Sequence, residues 1–150
     1  MVTTVGTSGD LMTLLEDYIT LEHNAIAAYE TTIERLENPV HKAKIAEFKA
    51  DHERHLTELT ELAVAHGAEI PTEGDMKEML TTGKVKLADM VGGDGAVLKA
   101  MSTNETDTVT AYDRAVENDA IPETARPLFA RALEDERRHK AYMESAAEAA

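Results

Sequence analysis

The chain has 150 residues, no cysteine and a formal charge of −14. Its length predicts one domain over 1–150, large enough to bury a core without staples; lack of cysteine excludes disulfides, thiolate metal sites and thiol catalysis. The acidity makes nucleic acid and anionic membranes poor partners, and no run of about 18 apolar residues marks a membrane span.

Residues 1–10 carry no basic residue ahead of an apolar run, unlike a secretory signal. They read as a frayed end, and the chain as cytoplasmic. A first helix is predicted from Leu11 to Leu36, with Asp10 as N-cap and Asn38-Pro39 as the stop. Its inward stripe is Leu11, Leu15, Tyr18, Glu22, Ala25, Tyr29, Ile33 and Leu36. A second helix starts at Asn38 and Pro39 and ends near Gly67, with the stripe Ile45, Phe48, His52, His55, Leu59, Leu62 and His66.

The crossover, 68–94, comes next. Met76 to Leu80 and Lys84 to Met90 read as short helical turns, broken by Thr81-Thr82-Gly83 and closed by Gly92-Gly93. A connection that long usually has architectural or functional work. A third long helix follows from Gly95 to Asn118, with the stripe Leu98, Met101, Glu105, Thr108, Tyr112 and Ala115. The last begins between Ile121 and Pro127 and reaches Ala147, with Phe129, Ala132, Glu136, His139, Met143 and Ala146 inward. The fold class is therefore all-α: two antiparallel hairpins joined by a long crossover, which is a ferritin-like four-helix arrangement.

The halves repeat each other. Glu22, Ala28, Tyr29 and Glu34 match Glu105, Ala111, Tyr112 and Glu117. After one residue of slippage, Asp51, Arg54 and His55 fall on Asp135, Arg138 and His139. A pseudo-twofold pairing of the hairpins would bring both glutamates and both histidine motifs to one midpoint. Residues three apart share a helix face, so Glu136 and His139 can reach one ion, as can His52 and His55. Glu22 and Glu105 complete a set of three carboxylates and three imidazoles. Burying so many ionisable groups is unfavourable unless something compensates them, and a metal ion does. Mixed oxygen and nitrogen donors suit iron, manganese or zinc rather than calcium.

These segments resemble the ferritin-like superfamily, closest to its rubrerythrin-like and other small four-helix members. The residues that carry the likeness are Glu22 with Ala25, Ile26 and Tyr29; Phe48 through His55; Glu105 through Tyr112; and Asp135 through His139. The resemblance implies one or two iron or manganese ions held by Glu22, Glu105, Glu136, His139 and His55. His52 departs from it, standing where the family has a bridging glutamate. The exchange implies weaker binding of a second ion, a mononuclear site, or a metal that favours imidazole. Asp51 and Asp135 are candidates to orient the histidines from behind, Asp51 being an alternative ligand. Tyr29 and Tyr112 are core residues or hydrogen-bond donors beside the metal. The implied function is oxidative, peroxide-directed or iron-handling. The alternative is a structural or interaction bundle that forms a homodimer and has a degenerate or zinc-filled site. A closed storage cage and an attached rubredoxin-like domain are not expected.

Overall fold

The computed structural model describes residues 3–150; Met1 and Val2 lie outside the described residues. Helix α1 spans Leu11–Arg35, α2 Pro39–His66, α3 Lys77–Ala88, α4 Asp94–Glu117 and α5 Arg126–Ala149. Among the described residues there is no strand. No helix is long and apolar enough to cross a membrane.

The helix ends follow from local chemistry. The Asp10 carboxylate accepts from the Thr13 N–H at 3.1 Å, satisfying an orphan donor of α1. Asn38 does the same for Val40 at 2.9 Å, and Pro39 supplies a first turn that needs no N–H. Gly67 ends α2 at φ 71°, a left-handed conformation that costs glycine little. Asp94 begins α4 and accepts from the N–H groups of Glu37 and Asn38 at 2.9 and 3.0 Å, so it also holds the α1–α2 joint. Arg126 donates to the Val116 and Ile121 carbonyls at 2.6 and 3.0 Å, tying the start of α5 to the end of α4.

Helices α1 and α2 form one hairpin, α4 and α5 the other, and α3 lies against α1. The core falls into two apolar clusters. One contains Leu14, Leu15, Tyr18, Leu59, Tyr112 and Phe129; the other contains Leu36, Ile45, Phe48, Leu98, Met101 and Met143. Each large apolar side chain so buried contributes about 1.5–3 kcal/mol. Among the described residues, Glu22, His52, His55, Glu105, Glu136 and His139 are the buried carboxylates and imidazoles, and they lie along the helices between the two clusters.

Two expectations are corrected. The crossover helix is not broken at Thr81-Thr82-Gly83: α3 is continuous through Gly83. One helical glycine costs only about 1 kcal/mol. Burial of Leu87, with Arg35 donating to the Ala88 and Met90 carbonyls, holds the helix together. Nor are residues 3–10 frayed. Arg114 donates to the carbonyls of Thr3 and Val5, and Asn118 to those of Gly6 and Ser8. Gly6 is buried at φ 95°, where an added Cβ would meet the Tyr18 hydroxyl at 2.7 Å.

Candidate metal centre

All six inward groups named from the sequence meet. Glu22, His52, Glu136 and His139 are 0% exposed, Glu105 2% and His55 3%. Their donor atoms form two overlapping groups that could hold an ion. One is Glu22, His52, His55 and Glu136; the other is His52, Glu105, Glu136 and His139. Within each group the donors lie within 4.8 Å of one another.

The surrounding contacts are reciprocal between the hairpins. Tyr29 on α1 donates its hydroxyl to Glu105 on α4. Tyr112 on α4 donates to Glu22 on α1 at 2.6 Å. His139 donates through Nε2 to Asp51 at 2.8 Å, and His55 through Nε2 to Asp135 at 2.8 Å. Both rings therefore turn Nδ1 inward. Each aspartate is braced by arginines at the outer edge: Arg138 donates to Asp51 at 2.8 Å, and Arg54 to Asp135. Phe48 stacks on the His139 ring at 4.3 Å between centroids, fixing its plane.

One position breaks the symmetry. His52 on α2 stands where α5 has Glu136. Its Nδ1 donates to Glu22 Oε2 at 2.7 Å. Its Nε2 lies 3.4 Å from Glu136 Oε1 and 3.8 Å from Glu105 Oε1.

The electrostatics follow from that packing. Burial opposes charge on His52, but Glu22, and then Glu105, outweigh it and push its pKa up to about 10. Burial raises Glu22 as well, yet the charge of His52 holds it well below the carboxylate range. Glu136 is raised well above that range, first by burial and then by the charge of Glu105. Burial and the neighbouring His52 charge pull His139 down to about 4. Asp135 is buried enough to be raised, but hydrogen bonds from His55 and Arg138 bring it to about 2.

The test of fit for a cation lies in the atoms left over. His52 Nε2, His55 Nδ1 and both carboxylate oxygens of Glu136 are buried without a hydrogen-bond partner. Buried polar atoms are rarely left so, and each costs about 1–3 kcal/mol. His55 Nδ1 lies 3.5 Å from Glu136 Oε1, and His139 Nδ1 lies 3.5 Å from Glu136 Oε2. Lone pairs of nitrogen and oxygen thus converge on one small volume. Such donors could hold a divalent cation, and imidazole with carboxylate is a donor set for iron, manganese or zinc.

The model of a family described as a domain of unknown function, DUF2383, matches residues 10–118. The chain belongs to this family. DUF2383 is a family of helical proteins of ferritin-like fold. The matched stretch carries Glu22, His52, His55 and Glu105 and stops before α5, which carries Glu136 and His139. No curated protein matches the chain, and no solved structure does.

Two features were not read from the sequence. Thr108 donates to Glu105 Oε2 at 3.3 Å; its place in the α4 stripe beside Glu105 was the available signal. A cavity of about 540 Å³ opens between α1, α3 and α4. Ala25, Ala28, Leu80, Leu87, Met90 and Met101 line it, and it reaches Tyr29, Glu105 and Thr108 at the edge of the polar cluster. Nothing in the stripe pattern announces it, because small alanines on α1 make the space.

Proposed function

We propose that this DUF2383 protein is a rubrerythrin-like, non-haem metal-binding protein that holds iron or manganese and acts oxidatively, on peroxide or dioxygen, or in iron handling in the cytoplasm. The candidate ligands are Glu22, His52, His55, Glu105, Glu136 and His139. The observation that carries the reading is the set of partnerless buried atoms around Glu136. A bound ferrous or manganous ion supplies redox chemistry and Lewis acidity toward a small oxidant.

The protein's share of the work is positional. Asp51 holds the His139 proton on Nε2, which leaves the Nδ1 lone pair facing Glu136 and the Tyr29 hydroxyl. Tyr29 and Thr108 hold the two oxygens of Glu105. Phe48 and the apolar clusters on either side exclude bulk water from the donors. The cavity beneath α3 is the route by which a small reactant reaches Glu105.

The test is anaerobic titration with ferrous iron, followed by exposure to oxygen or peroxide. The chain is expected to bind iron and oxidise it. A Glu136→Ala, His139→Ala double variant is expected to do neither. Absence of iron and manganese binding, or undiminished binding by the double variant, removes the reading.

One observation favours a second reading, a structural bundle. Among the protein groups alone, His52 is held charged between Glu22 and Glu105, so the polar core goes far toward compensating itself. That reading has chelation leave the fold and oligomeric state unchanged, and elemental analysis find zinc or no metal.

A further inference from the structure

The two candidate groups share His52 and Glu136, and they are not equivalent. Donors that share one ion at about 2.1 Å lie roughly 3–4 Å apart. The second group meets this: His52 Nε2 is 3.4 Å from Glu136 Oε1 and 3.8 Å from Glu105 Oε1, and His139 Nδ1 is 3.5 Å from Glu136 Oε2. The first group has such distances too, His55 Nδ1 lying 3.4 Å from Glu22 Oε1 and 3.5 Å from Glu136 Oε1, but not at His52. Its His52 Nδ1 and Glu22 Oε2 are 2.7 Å apart, a hydrogen-bond distance with the proton between them. The other oxygen of Glu22 accepts from Tyr112 at 2.6 Å, as the oxygens of Glu105 accept from Tyr29 and Thr108. That leaves the first group three donors, His55 Nδ1, Glu22 Oε1 and a share of Glu136, against four in the second, which has the one His52 nitrogen not bonded to Glu22.

Granting the metal-binding reading on which this rests, we infer that the buried polar cluster holds one ion, not two, bound by His52 Nε2, Glu105, Glu136 and His139 Nδ1. Glu22 acts behind His52 as the carboxylate that orients the ring, as Asp51 does behind His139. Three carboxylates also cannot neutralise two divalent cations in a low-dielectric core, whereas they exceed the charge of one. His52 is thus the residue that sets nuclearity. Replacing it with glutamate restores the symmetry with Glu136, frees Glu22 Oε2 from His52, and creates the second site.

The probe is manganese(II). Titration calorimetry and elemental analysis of the full chain are expected to give one ion per chain, with the electron paramagnetic resonance signal of an isolated ion. Pulsed resonance is expected to count two coordinated histidine nitrogens. His52→Glu is expected to bind two ions per chain, magnetically coupled. Two ions in the wild-type chain, or one coordinated nitrogen, overturns the inference even if the variant does not fold. A folded His52→Glu chain that still binds one ion overturns it too. A wild-type chain that binds neither manganese nor iron overturns the metal-binding reading itself, and the inference with it.

Discussion

The hydroxyl of Tyr112 on α4 donates to the Glu22 carboxylate on α1 at 2.6 Å, joining the two hairpins through a fully buried hydrogen bond. Its acceptor is charged, so the bond is among the stronger kind. Tyr112→Phe leaves one Glu22 oxygen buried without that donor. The expected loss is about 1–3 kcal/mol of stability, read as a lower urea midpoint with an unchanged slope.

Asp51 and Asp135 are chemically alike, but the one-ion arrangement makes them unequal. Asp51 orients a ligating histidine, whereas Asp135 orients His55. Asp51→Asn is expected to lower manganese affinity by about 10–100-fold. Asp135→Asn is expected to lower it by less. Calorimetric titration of both variants decides it, and equal losses would contradict the assignment.

The cavity beneath α3, the route proposed for a small reactant, is lined by Ala28, whose small side chain leaves the space open. Ala28→Phe fills it. Oxidation of the iron-loaded protein by peroxide is expected to slow by about tenfold, near 1.4 kcal/mol of barrier, at unchanged iron stoichiometry. Stopped-flow absorbance measures the first, elemental analysis the second.

Asp94 gives the fold an acid sensitivity away from the centre. The N–H groups of Glu37 and then Asn38 bond its carboxylate and depress its pKa below the ordinary 3.8. A depressed group adds stability above its ordinary value and loses it as pH falls through the folded value. The α1–α2 joint therefore weakens from about pH 4 downward. Asp94→Asn flattens that part of the profile, and at neutral pH it costs about 1 kcal/mol, the site being exposed and screened. Thermal midpoints across the acid range test both statements.

Much of this was legible because it rests on local rules. Asp10, Asn38, Pro39 and Gly67 mark helix ends by their own hydrogen-bonding and backbone preferences, and they do so here. The long helices are all-α as expected, and the six polar positions on apolar stripes converge as the repeat predicts. What escaped depends on partners far away in the chain. The continuity of α3 through Gly83 comes from packing on α1 and from Arg35, not from its own propensity. The ordered start needs Arg114 and Asn118, more than a hundred residues on. Which way the His52 ring faces is set by Glu22, and no spacing on α2 carries that information.

The crossed pairing of histidines and aspartates bears on the order of assembly. His55 finds its acceptor on α5 and His139 finds its own on α2. Either hairpin alone lacks the aspartate that fixes its His55 or His139 ring. Only docking of the halves sets both rings, so the cradle proposed for a cation belongs to the closed bundle and to neither half alone.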